Sequence, residues 1–434
     1  MEREGRQNTG MGFTETEIPV GEGTVTISVP NMMPIAAPTH IAGVSDIREE
    51  IRRAIKNPIG TPHLNVLAKG KRMAAIVVND ITRPYPGGEM VLEIAEELHQ
   101  GGMEDSQIIL IVAYGAHRMN TEPELRSMFG DEVVNRFRIV HHDAFDDNRL
   151  VIMGVTDGGV IVQVTKEFAE ADLRILTGCI APHQLAGFSG GRKSVVPGIS
   201  GFKTLKEHHS FPIRPERTSL GWLQGNPFHE ESLKAARIAG VDFIVNSIDN
   251  ELHELIQCVA GDLESAYMEG VGLCRKVWTV KIDHKPDVVI VSPGGYPRDF
   301  DLHQSQKAIG CAEMLCKEGG MIIMVAEMRD GIGKPGKVLL EAVSPHAVVE
   351  RFRATGYQPD ALSKAFMWAR AMENFRITIL YSKVPDTTLE QMFFESYVSY
   401  EAAINKALER YGPEASFMVV PYGSEIIPEM ENVT

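Results

Sequence analysis

Short runs of β-branched and aliphatic residues alternate with stretches of helical periodicity along most of the chain, and this alternation restricts the fold more than any other feature. Candidate strands lie at 74–78, 108–112, 160–164, 173–177 and 243–246. Residues 90–99 place Val91, Ile94, Ala95 and Leu98 on one helical face. Thr121 followed by Glu124 has the spacing of a capping box. After the polar stretch 281–285 the pattern restarts: a strand in Asp287-Val-Val-Ile-Val-Ser, the turn Pro293-Gly294-Gly295, a helix through Leu315 and a strand at 321–325. The expected fold class is α/β, with two α/β domains of mostly parallel sheets facing each other across an active-site cleft. The expected division is an N-terminal domain over 1–280, which 412–434 could complete, and a C-terminal domain over 281–411. Residues 23–29 read as an edge or accessory strand, and 416–420 as a strand that could pair with either domain.

Composition narrows the possible partners. The 434 residues carry 43 Lys and Arg against 58 Asp and Glu, a net charge of −15. Such a surface repels phosphate backbones and anionic lipid, so neither nucleic acid nor membrane is an expected partner. No apolar run approaches the roughly 20 residues of a membrane helix, and the polar start of the chain lacks the apolar segment of a signal peptide. The five cysteines are odd in number and form no CxxC, which reads as reduced core thiols. The expected compartment is the cytoplasm.

Chemistry concentrates in a few segments. The densest is Gly178-Cys-Ile-Ala-Pro-His183-Gln-Leu-Ala-Gly187-Phe-Ser-Gly190-Gly191-Arg192-Lys193-Ser-Val-Val-Pro197-Gly198. Its glycines allow a close backbone approach and positive φ. A Walker A loop needs glycine directly before its lysine, where this chain has Arg192, and the dinucleotide GxGxxG is absent. A loop built for an anion and a tight structural turn remain equal readings. Asn79-Asp80-Ile-Thr82-Arg83-Pro84 ends a strand where α/β folds place ligands; a solvated turn with an internal Asp–Arg pair reads as well. Ala113-Tyr-Gly-Ala-His117-Arg118 ends the next candidate strand, where a lone histidine is more often structural than catalytic. His208-His209 lies on a helical stretch without HExxH or paired Cys–His spacing. Further on, helical spacing sets Gln304 and Lys307 on one face, as a solvated helix start or a carboxylate site reaching across the cleft.

Taken in order, these segments resemble the nickel-pincer-dependent lactate racemase family and its 2-hydroxyacid racemase and epimerase relatives. The matching elements are Asp80-Ile-Thr-Arg83-Pro, Gly115-Ala-His117-Arg118, Pro182-His183 through Pro197-Gly198, His209, Gly225-Asn226-Pro227, and Gly294-Gly-Tyr-Pro with Gln304-Ser-Gln-Lys307. The likeness spans about residues 20 to 420. It implies a racemase or epimerase using a nickel-pincer nucleotide, the nickel complex of pyridinium-3,5-bisthiocarboxylic acid mononucleotide, covalently attached to Lys193 through a thioamide. His209 corresponds to the protein ligand of nickel, and soft sulfur with one imidazole suits square-planar nickel. His117 and His183 correspond to the general acid/base pair. Asp80, Thr82, Arg83, Gly190 and Gly191 fall in the cofactor-binding segments, and Arg83, His303, Gln304, Lys307 and Leu362 in those that bind substrate. The N-terminal domain is then the cofactor domain, the C-terminal one lines the substrate cleft, and other proteins must build the cofactor.

Two departures bear on the substrate. Lactate-specific members resemble this chain but carry tyrosine where His303 stands and tryptophan where Leu362 aligns; Trp368 lies further along that helix. Losing two rings enlarges the pocket, so the expected substrate is a longer or more polar 2-hydroxyacid, such as a sugar acid. Its carboxylate would be drawn by Arg83, Arg192 and Lys307 against the net charge. A nucleotide-dependent transferase using residues 187–194, and a non-catalytic ligand-binding relative, are the competing readings.

Overall fold

A computed structural model describes residues 12–83, 85–359 and 362–431; Pro84 lies outside the described residues. The chain divides into two compact units. One holds Pro38–Thr279 with the short segment Thr355–Pro359, and the other holds Met1–Ala37, Val280–Ala354 and Asp360–Thr434.

The first unit is built on a six-stranded sheet in the order Leu255–Gly261, Phe243–Asp249, Leu173–Cys179, Ala74–Asn79, Ile108–Ala113, Arg138–His141. All neighbours are parallel except the first pair. The central strand Ala74–Asn79 is buried throughout, as a parallel strand covered on both faces must be. Helix Gly87–Gln100 buries Val91, Ile94, Ala95 and Leu98, the face that the spacing selects. Helix Glu122–Arg136 opens on the expected capping box of Thr121 and Glu124. The ribbon Leu150–Val155 with Ile161–Thr165 stands apart as an antiparallel pair. From Ala74–Asn79 the chain winds outward one way through two strands and then returns to lay Leu173–Cys179 on the other side. The order therefore reverses between these two strands, and their carboxyl ends frame the crevice where such sheets bind ligands.

The second unit carries a four-stranded parallel sheet, Arg376–Leu380, Met321–Val325, Val288–Val291, Phe417–Val420. Its strands Val288–Val291 and Met321–Val325 fall where the sequence pattern restarts. The antiparallel hairpin Phe13–Val20 with Gly23–Pro30 packs here, not in the first unit, because Ile18, Ile27 and Val29 share a core with Val288, Ile290 and Val419. The strand Phe417–Val420 pairs with Val288–Val291. The compact units divide between Thr279 and Val280, with the hairpin Phe13–Pro30 and the strand Phe417–Val420 in the C-terminal one.

Cys258, Cys274, Cys311 and Cys316 are buried, and all five cysteines are free thiols. Among the described residues no helix is long and apolar enough to cross a membrane.

Candidate active site

Three turns leave the carboxyl edge of the parallel sheet beside the crevice. The first begins at Asp80, only 4% exposed. Its Oδ1 accepts from the Thr82 backbone N–H at 3.2 Å and the Thr82 hydroxyl at 2.6 Å, and its Oδ2 lies 2.7 Å from His117 Nδ1. Burial pushes the Asp80 carboxyl up, but the His117 hydrogen bond and charge, then Thr82 and Arg83, outweigh it and hold the group below its usual value. An ionised Asp80 can only accept, so Nδ1 of His117 carries a proton, and in the neutral ring Nε2 is the nitrogen that offers a lone pair. His117 comes from the second turn, where its N–H reaches the Tyr114 carbonyl and Gly115 N–H reaches Gly198. More than half of the His117 side chain is exposed.

The third turn is the glycine-rich segment. Pro182–His183 pairs with Gly187–Phe188, and the His183 Nδ1 accepts from the backbone N–H of Leu185 and Ala186 at 3.2 and 3.1 Å. That leaves the proton of the neutral ring on Nε2. Gly187 has φ +74°, and a Cβ there would sit 2.2 Å from the Trp222 carbonyl oxygen. A Cβ on Gly191 would meet the Tyr267 ring at 2.9 Å. These glycines are needed first for the loop to pack on its own chain. Asn246 accepts from Gly191 N–H at 2.9 Å, and Ser194 Oγ donates to the Thr177 carbonyl.

Arg192 does not face outward as an anchor for carboxylate. It is fully buried, donating to the carbonyls of Ala186 and Gly190 and to the Tyr267 hydroxyl. It acts as a clamp inside the loop. Among the described residues its Nε has no hydrogen-bond partner, and its charge still acts on its neighbour. Burial, then Arg83 and Arg192, hold the Lys193 ammonium well below the usual lysine range. The side chain therefore tends to a neutral, nucleophilic amine.

Lys193 Nζ sits 6.0 Å from the centre of the Phe228 ring, and the His209 ring packs edge-on to the same phenylalanine at 4.8 Å. Tyr357 contacts His209 from another side at 5.2 Å. Helix Phe202–His208 ends at His209, whose Nδ1 lies 3.2 Å from the Leu205 carbonyl and 3.4 Å from His208 Nδ1. A carbonyl can only accept, so the Nδ1 proton points there and Nε2 is left as a donor atom for a metal. Asn226 explains the Gly225-Asn226-Pro227 motif. It caps the helix carrying Phe228 and donates to the Leu185 and Trp222 carbonyls, tying that helix to the His183 turn.

Several histidines around this edge are buried neutral. Burial lowers His208 to about 3 and His142 to about 4. His142 bonds Thr165 Oγ1 and the Ser200 carbonyl at 2.8 and 3.2 Å. Its folded pKa lies below the unfolded value of about 6.5, so between the two the unfolded chain holds a proton that the folded chain does not. Stability then falls as pH drops through that window. From His142 alone the apoprotein should lose roughly 2 kcal/mol between pH 7 and pH 5, at about 1.4 kcal/mol per unit below 6.5. Urea unfolding at the two pH values, with His142→Gln as the control that loses this slope, checks it.

The remaining sequence-derived residues lie in the second unit. Asp301 caps helix Leu302–Leu315 by accepting from Gln304 N–H, which places His303, Gln304 and Lys307 on its first turns. Leu362 opens helix Leu362–Asn374 and is fully buried. Trp368 is a core residue of the same unit, its indole N–H donating to the Leu302 carbonyl. Within the first unit the structure brings Asp80, Thr82 and His117 into one network, and Lys193 and His209 around one ring. Phe228, Tyr357, Asn246 and Tyr267 are contributors that the sequence reading missed. Only Phe228 left a signal, as the residue after the Asn226-Pro227 helix start.

A doubly wound unit with a buried, depressed lysine, an aspartate-oriented histidine and a second histidine with its Nε2 left free of the Leu205 carbonyl defines an enzyme site for a small molecule. Residues 20–221 match the lactate racemase N-terminal domain and residues 282–427 the lactate racemase C-terminal domain. The chain belongs to the lactate racemase family, and with it to the isomerases. It is 30% identical over 423 residues to a lactate racemase of Thermoanaerobacterium thermosaccharolyticum, covering 95% of this chain and 98% of that protein. It is 35% identical over 387 residues to a lactate racemase of Lactiplantibacillus plantarum, covering 88% of this chain and 90% of that protein. The lactate racemase apoprotein structure from the Thermoanaerobacterium species superposes with a TM-score of 0.89 at 30% identity, over 96% of this chain and all of that one. A solved protein from Thermotoga maritima shares the fold at a TM-score of 0.62 and 17% identity, over 90% of this chain and all of that one.

Proposed function

We propose that this protein is a 2-hydroxyacid racemase or epimerase working with a nickel-pincer nucleotide on Lys193, on a substrate longer or more polar than lactate. The observation that carries this reading is the pairing of a buried lysine of depressed basicity with His209 around the Phe228 ring. The residues fit the group. A neutral Lys193 amine can form the thioamide, His209 Nε2 is turned to accept a metal, and Arg83 with the buried Arg192 sets a positive field for an anionic nucleotide. Among the described residues no three His, Cys, Asp or Glu side chains converge on a metal site. Nickel held at His209 would take its other ligands from the cofactor, as a sulfur pincer provides.

When bound, the group supplies an electrophilic ring carbon that accepts and returns a hydride. The protein's own part is proton transfer and orientation. The Cα–H of a 2-hydroxycarboxylate is barely acidic beside an ionised carboxylate, so a histidine near neutral cannot remove it as a proton. His117 Nε2 takes the hydroxyl proton as the carbon–hydrogen bond breaks, leaving a 2-keto acid. Once that acid presents its other carbonyl face, a proton returns to oxygen from Nε2 of a charged His183 ring, whose Nδ1 has then taken up a proton and given up its bonds from Leu185 and Ala186. Two histidines, His117 and His183, serve the two enantiomers. Arg83, Gln304 and Lys307 hold the carboxylate, while Asp80, Thr82, Gly190 and Gly191 line the cofactor segment. The setting we propose is the cytoplasm, where cofactor-building proteins load the enzyme.

With His303 and Leu362 in place of larger rings, a panel of lactate, malate, 2-hydroxybutyrate and gluconate should give lactate a kcat/KM below the best acid by about tenfold or more, the worth of one or two misfitted groups. Lactate giving the highest value would contradict the substrate assignment.

A further inference from the structure

Asp80 falls in the segment assigned above to the cofactor, yet both of its oxygens are engaged within the chain. Oδ1 takes two hydrogen bonds from Thr82 and Oδ2 takes the one from His117 Nδ1 at 2.7 Å. The carboxylate is 4% exposed, whereas His117 is open to solvent. We infer that Asp80 is a positioning residue for His117: it fixes the Nδ1–H tautomer, aims Nε2 outward as the proton acceptor, and stabilises the imidazolium formed when that nitrogen takes the hydroxyl proton. This rests on the racemase reading only for its kinetic consequence; the tautomer itself is a property of the apoprotein.

Proton and electron balance are simple. The substrate O–H breaks, its proton bonds to Nε2, and the pair left on oxygen becomes the second C–O bond as hydride leaves Cα for the electrophilic ring carbon that the bound pyridinium nucleotide would supply. The positive charge on the ring is then shared with an ionised partner that needs no rearrangement. The charged and titratable groups facing the pair are Arg83 from the first turn and Tyr114 and Arg118 from the second, with the Thr82 hydroxyl as a neutral donor.

Thr82 makes the consequence of substitution specific. Its backbone N–H must donate, so the carbonyl oxygen of an asparagine at position 80 would stay on the Thr82 side. The amide NH₂ would then face His117 Nδ1, which must become the acceptor. Asp80→Asn should therefore invert the tautomer and leave Nε2 protonated, unable to act as base.

The test is ¹⁵N NMR of ring-labelled His117 in the full-length apoprotein, assigned through His117→Gln, together with nickel content, intact mass and kinetics of the loaded enzyme on the acid panel. Wild type should show a protonated Nδ1 and an unprotonated Nε2, and Asp80→Asn the reverse. The loaded variant should keep its Lys193 adduct and nickel, lose kcat by on the order of 10²–10⁴-fold with a smaller change in KM, and move the acid limb of its residual profile to lower pH, because the imidazolium has lost its counter-charge. A wild-type His117 protonated at Nε2 would overturn the inference without any need for the variant to fold. So would an unchanged tautomer in Asp80→Asn, or loss of the adduct from it, which would make Asp80 a cofactor contact. If the wild type itself takes up no adduct, the racemase reading falls while the ring spectrum still decides the Asp80–His117 pairing.

Discussion

Replacing Lys193 by methionine should abolish racemisation to background and, at the same time, raise the stability of the apoprotein. The activity loss follows from removal of the only group proposed to hold the cofactor covalently. The stability gain follows from the site's cost to the fold. Burial, then Arg83 and Arg192, depress the Lys193 pKa well below its ordinary value. Between that folded value and about 10.4 the unfolded chain carries a proton that the folded chain lacks, so wild-type stability rises with pH across this window. Methionine matches the length of the apolar stem and has no charge to bury. Its advantage is greatest below the folded pKa and fades as pH approaches the unfolded value. Each 1 kcal/mol relieved appears as about 2–4 °C in Tm. Calorimetry of the two apoproteins at pH 6 and pH 9 checks this, and a variant less stable than wild type at pH 6 would contradict the placement of the lysine. The conflict between function and stability at one residue is expected where a site needs a reactive group.

His117→Ala and His183→Ala should each lower kcat by about 10²–10⁴-fold, the usual worth of a positioned acid or base. Both directions should suffer alike, since a residue that takes the proton in one direction returns it in the other. The double variant should fall short of the product of the two losses, because groups that act as a unit are not additive. Nickel and the Lys193 adduct should be retained, because neither ring is proposed to touch them. Deuterium at C2 should stay on carbon in the product made by wild type in ordinary water, since the Cα hydrogen moves as hydride and not through a base open to solvent. Wild-type rates in either single variant would remove the acid/base assignment. Complete washout of the C2 label would replace hydride transfer with proton abstraction at carbon.

Much of the α/β frame is legible in the sequence because its signals are local. The strand Ala74–Asn79 and the helix face of Val91, Ile94, Ala95 and Leu98 are set by periodicity, and the Thr121–Glu124 cap by a three-residue spacing. The home of the first hairpin is not legible. Ile18, Ile27 and Val29 announce an apolar face, but nothing near them says that its partners are Val288 and Val419, hundreds of residues away. The site divides in the same way. Residue types at strand ends mark Asp80, His117, His183 and Lys193 as candidates, whereas their partners depend on the turns. An Asp–Arg pair within the first turn reads equally well from spacing, yet Asp80 turns inward to His117 because Gly115, held by Gly198, brings the second turn against it. Arg192 illustrates the limit most sharply. Beside a lysine in a glycine-rich loop it reads as an anion-binding charge, and only the folded loop shows its donors spent on Ala186, Gly190 and Tyr267.

The most direct measurement is intact mass with peptide mapping and a nickel assay on protein produced beside cofactor-building enzymes that load a lactate racemase control. The account predicts one nucleotide adduct per chain, mapped to Lys193, with near-stoichiometric nickel that is lost in His209→Ala, and no adduct in Lys193→Met. An unmodified mass without nickel, from a preparation in which the control is loaded, would contradict it.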